Sequence, residues 1–188
     1  MKLRTMLPVG AAAITSLLLA AAPAMATNAS ETVTAGTLGF ATTPGAVTFP
    51  AAALNGQNKT VTVQQPLDIA DATGSGAGWN ITATSTQFKT TGGNTLPLGS
   101  VTVASAPAAP TCDTNVTCTV GGATTVAFPY TLPSAATTAP QATKLYNAPA
   151  NTGMGDQTVS PTWTLAIPGN AYAGNYTSTW TLSLVSGP

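Results

Sequence analysis

In the stretch Tyr176-Thr-Ser-Thr-Trp180-Thr-Leu-Ser-Leu-Val-Ser-Gly-Pro188, apolar and hydroxyl side chains alternate with a period of two. Tyr176, Ser178, Trp180, Leu182 and Leu184 fall on one face of an extended chain, and Thr177, Thr179, Thr181 and Ser183 on the other. Successive strand side chains point to opposite faces, so this pattern predicts a strand with one buried side. Two other stretches repeat it. Trp163, Leu165 and Ile167 alternate with Thr162, Thr164 and Ala166, and Trp79, Ile81 and Ala83 alternate with Asn80, Thr82 and Thr84. All three tryptophans of the chain therefore occupy apolar positions of Thr-rich strands.

Outward from these stretches the same texture continues. Strands are expected near 30–40, 45–49, 58–64, 67–70, 78–89, 98–104, 115–120, 123–130, 159–167 and 175–185. Turn residues separate them: Asn55-Gly56, Gly74 to Gly78, Gly92-Gly93-Asn94, Gly121-Gly122 and Gly169-Asn170. The stretches Pro107–Pro110 and Pro133–Pro140 read as Ala/Pro/Thr loops unsuited to central strands. No segment keeps a helical period. The reading is all-β: an antiparallel β-sandwich or barrel of about 8–10 strands in one domain. The two Trp-Thr-Leu segments, at 163 and 180, are expected to be neighbours across the turn from Ile167 to Ala173.

Residues 1–26 read as a secretory signal peptide. Lys2 and Arg4 precede a mostly apolar run, and Ala24-Met25-Ala26 offers the small residues of a cleavage site. A transmembrane helix is the rival reading, disfavoured because Pro8 and Pro23 leave an apolar core of about 14 residues, short of a bilayer span. The expected mature chain, 27–188, shows no membrane span and no sortase-type anchor, so the expectation is a protein secreted to the cell surface. It has three lysines (Lys59, Lys89, Lys144) against Glu31, Asp68, Asp71, Asp113 and Asp156, a formal charge of −2, and no arginine. Nucleic acid is excluded as a partner, since phosphate binding needs clustered cations. With 44% hydrophobic residues the chain folds despite its sparse charge.

Cys112 and Cys118 are the only cysteines, and an even count in an exported chain reads as one disulfide closing a hairpin-sized loop. Without histidine they make a poor metal site. Catalysis finds little support. The chain has no histidine, so Ser-His-Asp and Cys-His arrangements cannot be built. Asp68 and Asp71 are the only close carboxylates in sequence, but three positions apart on a strand end they point to opposite faces, wrong for a glycosidase pair. The simpler assignment has Asp71 opening the turn Asp71-Ala-Thr-Gly-Ser-Gly and Asp68 facing solvent. Calcium there would lack most of its six to eight oxygens. The expectation is no enzyme, no cofactor and no metal. Asn28, Asn58, Asn80, Asn115 and Asn175 begin Asn-x-Ser/Thr sequons that chance supplies in a Thr-rich chain.

The stretch from Asp68 to Ile81, with its Gly-rich turn into Trp79-Asn-Ile81, resembles the proximal motif of the WxL family of bacterial surface proteins. The C-terminal stretch is similar to that family's distal signature, Tyr-xxx-(Leu/Ile/Val)-Thr-Trp-x-Leu-xxx-Pro. Between them, Gly153-Met-Gly155, Leu165-Ala-Ile-Pro168 and Ala171-Tyr-Ala-Gly-Asn-Tyr176 resemble the usual run into the last strand. Ile81 stands where leucine is usual. With Tyr176 and Pro188 in register, Leu184 and Thr181 match, but Trp180-Thr-Leu182 is displaced by two residues, a shift that keeps both on one strand face.

The resemblance implies non-covalent attachment to the Gram-positive wall, with peptidoglycan as ligand and the motif residues Trp79, Ile81, Trp163, Tyr176, Trp180, Leu182 and Leu184 as candidate binding positions. Exposed rings would stack on sugars while Thr and Asn hydrogen-bond to hydroxyls and amides. The favoured reading of each ring is ordinary core of the sandwich, since large aromatics on the apolar face of alternating strands are usually buried, and another surface then grips the wall. An alternative from a different class is an extracellular structural or adhesive subunit joining other surface proteins through a strand edge.

Overall fold

The computed structural model describes residues 28–122 and 126–188. The stretch read as a signal peptide lies outside the described residues, as do positions 123–125 at the start of one expected strand. Residues 28–33 are exposed and carry no regular structure, and residues 34–188 form a compact unit.

Twelve strands occur among the described residues, and no helix. In chain order they are β1 (Leu38–Phe40), β2 (Lys59–Gln64), β3 (Leu67–Asp71), β4 (Trp79–Thr86), β5 (Val101–Val103) and β6 (Thr111–Cys112). The second half supplies β7 (Tyr130–Thr131), β8 (Ser134–Ala135), β9 (Thr143–Ala148), β10 (Gly155–Val159), β11 (Thr162–Ile167) and β12 (Trp180–Ser186). They build three sheets: β1-β3-β10-β6, β2-β11-β5-β7, and β12-β4-β8 with β9 also paired to β4. Every pairing is antiparallel except β4 with β8. The sheets pack face to face and no barrel closes. The all-β antiparallel sandwich is thus the architecture, with more strands than expected because several are only two or three residues long.

The core lies between the sheets. Trp79 and Ile81 of β4, Leu67 and Ile69 of β3, Trp163 and Leu165 of β11, Val101 and Val103 of β5 and Tyr146 of β9 are all buried there. Each large aliphatic side chain removed from water contributes roughly 1.5–3 kcal/mol. The intervening positions face out. In the second sheet Thr62, Thr164, Thr102 and Thr131 stand opposite one another in a row across four strands. Cross-strand threonine pairs of this kind account for the threonine-rich alternation, each contributing about 0.2–1 kcal/mol.

Some expectations need correcting. The first strand covers only residues 38–40 of the expected 30–40. Residues 45–49 form no strand: Pro44 and Pro50 bracket them, and proline cannot donate to a ladder. Residues 115–120 belong to the loop after β6, where Asn115 adopts φ 64°. Conversely β9 and β10 were not foreseen. In β9, Leu145, Tyr146, Asn147 and Ala148 are all buried, so no alternation marks the strand, and its ladder with β4 is interrupted by a register shift. In β10 the buried positions are Val159 and a polar residue, Gln157, whose side-chain oxygen accepts a hydrogen bond from the Gly121 N–H at 3.0 Å. The two Trp-Thr-Leu segments are not neighbours in one sheet either. Trp163 is on β11 and Trp180 on β12, in different sheets, and their rings meet across the interior at 4.9 Å.

Candidate functional site

The three tryptophans have different surroundings, and the difference marks out one candidate site. Trp79 is fully buried, its ring 5.9 Å from that of Tyr146, and its indole N–H donates to the Gly153 carbonyl at 2.9 Å. The glycines around it are required by geometry. Gly78 (φ 74°) lies so close to the Ala148 carbonyl, and Gly153 (φ 82°) so close to the Trp79 indole nitrogen, that neither could carry a Cβ. The Gly-rich turn before Trp79 and the Gly153-Met-Gly155 segment are therefore two sides of one socket. Ile81, also fully buried, continues the same face of β4. Trp163 is equally buried and donates its N–H to Gln65 Oε1 at 2.9 Å. These three motif residues reach no surface.

Trp180 is half-buried. Its ring packs against Trp163, Phe49 at 6.3 Å and Phe88 at 6.5 Å, and its indole N–H makes no hydrogen bond among the described residues. It opens onto a cleft of about 760 Å³ between the segment 44–54 and the segment 171–182. The first wall is anchored from beneath: Gln65, which accepts from Trp163, donates through Nε2 to the Gly45 carbonyl at 2.9 Å. The second wall is fixed by paired backbone bonds between Lys89 and Thr177 and by Ser178 Oγ donating to the Thr86 carbonyl. At the mouth, Tyr176 is half-buried with its hydroxyl donating to the Tyr172 carbonyl at 2.8 Å, while the Tyr172 side chain is 69% exposed. Leu182 lines the cleft as well; Leu184, opposite Ile81, does not. Among the described residues no charged side chain lines it.

Of the residues singled out from sequence, the cleft thus gathers Tyr176, Trp180 and Leu182. Phe49, Phe88 and Tyr172 belong with them and had no motif to mark them. Their common signal was an aromatic ring outside the alternating pattern of a long strand.

The aspartates lie elsewhere. Asp71 does open its turn, accepting from the Thr73 N–H at 3.0 Å and the Thr73 hydroxyl at 2.6 Å. Asp68 does not stand free in solvent. It accepts from the Thr42 hydroxyl and comes together with Asp113 and Asp156, one oxygen of each lying within 4.8 Å of the others. Asp68 Oδ1 and Asp156 Oδ1 are both enclosed without a hydrogen-bond partner among the described residues. Partial burial, then the charges of Asp68 and Asp113, then a hydrogen bond to Asp68 raise the pKa of Asp156. Three carboxylates fall well short of a calcium shell, and none of them lines the cleft. Cys112 and Cys118 form the expected disulfide beside this group.

A family model described as "WxL domain surface cell wall-binding" matches residues 22–188. The chain belongs to the WxL family. Comparison with curated proteins and with solved structures returns no match. The WxL domain is a cell-surface, cell wall-binding domain, so this chain works at the surface and its partner is in the wall. No helix among the described residues is long and apolar enough to cross a membrane.

Proposed function

We propose that this WxL protein is secreted, through a signal peptide over residues 1–26, and that its domain, residues 27–188, binds peptidoglycan non-covalently in the Trp180 cleft without chemical turnover. One observation carries the assignment. Trp180 alone among the three tryptophans combines partial exposure with an N–H that has no partner among the described residues, and it sits in an aromatic cleft beside an exposed tyrosine. Large, mostly apolar clefts with a few polar groups are the usual form of a ligand site. In this reading Trp79, Ile81 and Trp163 support the fold, and Tyr172, Tyr176, Trp180 and Leu182 meet the ligand. The non-enzymatic part is supported by the absence of histidine and by the fact that none of the grouped aspartates lines the cleft.

Cosedimentation of the purified protein with native walls and with peptidoglycan-stripped walls tests the binding. The protein should pellet with the first and stay in solution with the second; equal recovery in both supernatants sinks the proposal. Release of soluble wall fragments above the buffer control would overturn the absence of turnover.

A further inference from the structure

Resting on that reading, we infer that the cleft takes the glycan strand of peptidoglycan, a neutral N-acetylated polysaccharide, and neither its charged stem peptides nor the phosphate polymers of the wall. The first argument is electrostatic. Among the described residues, the lining of the cleft contains no Asp, Glu, Lys or Arg, and Lys89, the neighbour of Phe88, does not line it. A stem peptide brings carboxylates and a phosphate polymer brings a charge at every repeat. Such groups, placed against Phe49, Phe88 and Trp180, would lose water without gaining a counter-charge, which disfavours their binding strongly. Recognition of phosphate or carboxylate is ordinarily built from Arg or Lys, and none is at hand.

The second argument is positive complementarity. A pyranose presents C–H faces that are apolar and an edge of hydroxyl and acetamido groups. The cleft answers both. Tyr172 is an exposed ring at the mouth, with the half-buried rings of Tyr176 and Trp180 further in. The neutral donors and acceptors beside them include the Trp180 N–H and the Asn175 amide. An acetamido group needs one donor and one acceptor, which an asparagine amide supplies together. The volume, about 760 Å³, is that of a site for an extended small ligand.

The test separates the glycan from the rest of the wall. The protein is titrated with a tetramer of β-1,4-linked N-acetylglucosamine and with a free stem peptide. In parallel it is cosedimented with whole sacculi and titrated with the soluble glycan strands that an amidase releases from them by removing the stem peptides. The expected result is binding to the tetramer and to the peptide-free glycan, with none to the stem peptide. Affinity should change by less than about twofold between 50 and 500 mM salt, as for contacts without ion pairs. Tyr172→Ala, a change at an exposed ring that leaves the thermal midpoint in place, should weaken the tetramer about tenfold, with Tyr172→Phe close to the parent. Binding to sacculi but not to the tetramer or the peptide-free glycan overturns this inference and leaves peptidoglycan binding standing. No binding to sacculi overturns both. Capture of the stem peptide, or affinity that falls steeply with salt, overturns the choice of the glycan.

Discussion

Trp79 and Trp180 share a residue type and a strand pattern, yet removing them should read out differently. Trp79 is sealed by Gly153, so Gly153→Ala must either push the indole out or move the backbone, at a φ that alanine tolerates poorly. We expect a loss of about 2–4 kcal/mol, measured by urea unfolding; an unchanged midpoint would show that the indole shifts freely. Trp180→Ala should cost about 3 kcal/mol, the low end for a large aromatic, because the ring is only half-buried. Wall binding by the folded fraction should fall too. A midpoint within a degree or two of the parent would place the ring outside the core altogether. Asp156 adds a pH signature. Its carboxyl titrates higher in the folded protein than its ordinary value of 3.8, so between those two values the folded state holds the extra proton. Stability from this group is therefore greatest in acid and falls as pH rises through that window. Asp156→Asn should melt higher than the parent at pH 7 and show a shallower decline from acid to neutral pH. A lower midpoint at pH 7 would mean that the carboxylate is held by a favourable partner.

The elements legible in the sequence were those with one wet face. Strands β2, β11 and β12 alternate buried or half-buried with outward positions, and their Val, Trp and Leu residues announced them. Strand β9 lies against β4 with both of its faces covered, so its sequence had no period to show. The cleft was illegible for a related reason: Phe49 and Tyr172 stand on irregular segments far apart in the chain, and only the packing of those segments joins them. The aspartate group was hidden likewise, being assembled from β3, β10 and the loop after β6. The disulfide was legible from counting alone, and its value follows from the loop it closes. With a separation of 6 residues between the cysteines, the chain-entropy contribution is about 2 kcal/mol. Cys112→Ser with Cys118→Ser should thus lower the thermal midpoint by about 4–8 °C. A change under a degree would show that the β6–β10 pairing holds the loop unaided.

Residues 34–188 present two kinds of surface around one core: hydroxyl-covered sheet exteriors, and an aromatic cleft between two irregular segments that no charged side chain lines among the described residues. Four of the strands that end a sheet, β1, β6, β7 and β8, are only two or three residues long, too short to template another chain. The longer β2 and β12 end their sheets, and assembly through them would make the mass in light scattering depend on dilution; a constant monomer mass is the expected result. The cleft makes a stronger global prediction, because its walls come from opposite ends of the chain and a ligand seated between them binds the folded state alone. At a glycan concentration a hundredfold above Kd, linkage adds roughly 2.7 kcal/mol to stability, a rise of about 5–10 °C in the thermal midpoint. Tyr172→Ala, if it binds tenfold more weakly, should gain only about half of that at the same concentration. The full rise in the variant would show that the glycan sits away from Tyr172, and no rise in either protein would remove the cleft as its site.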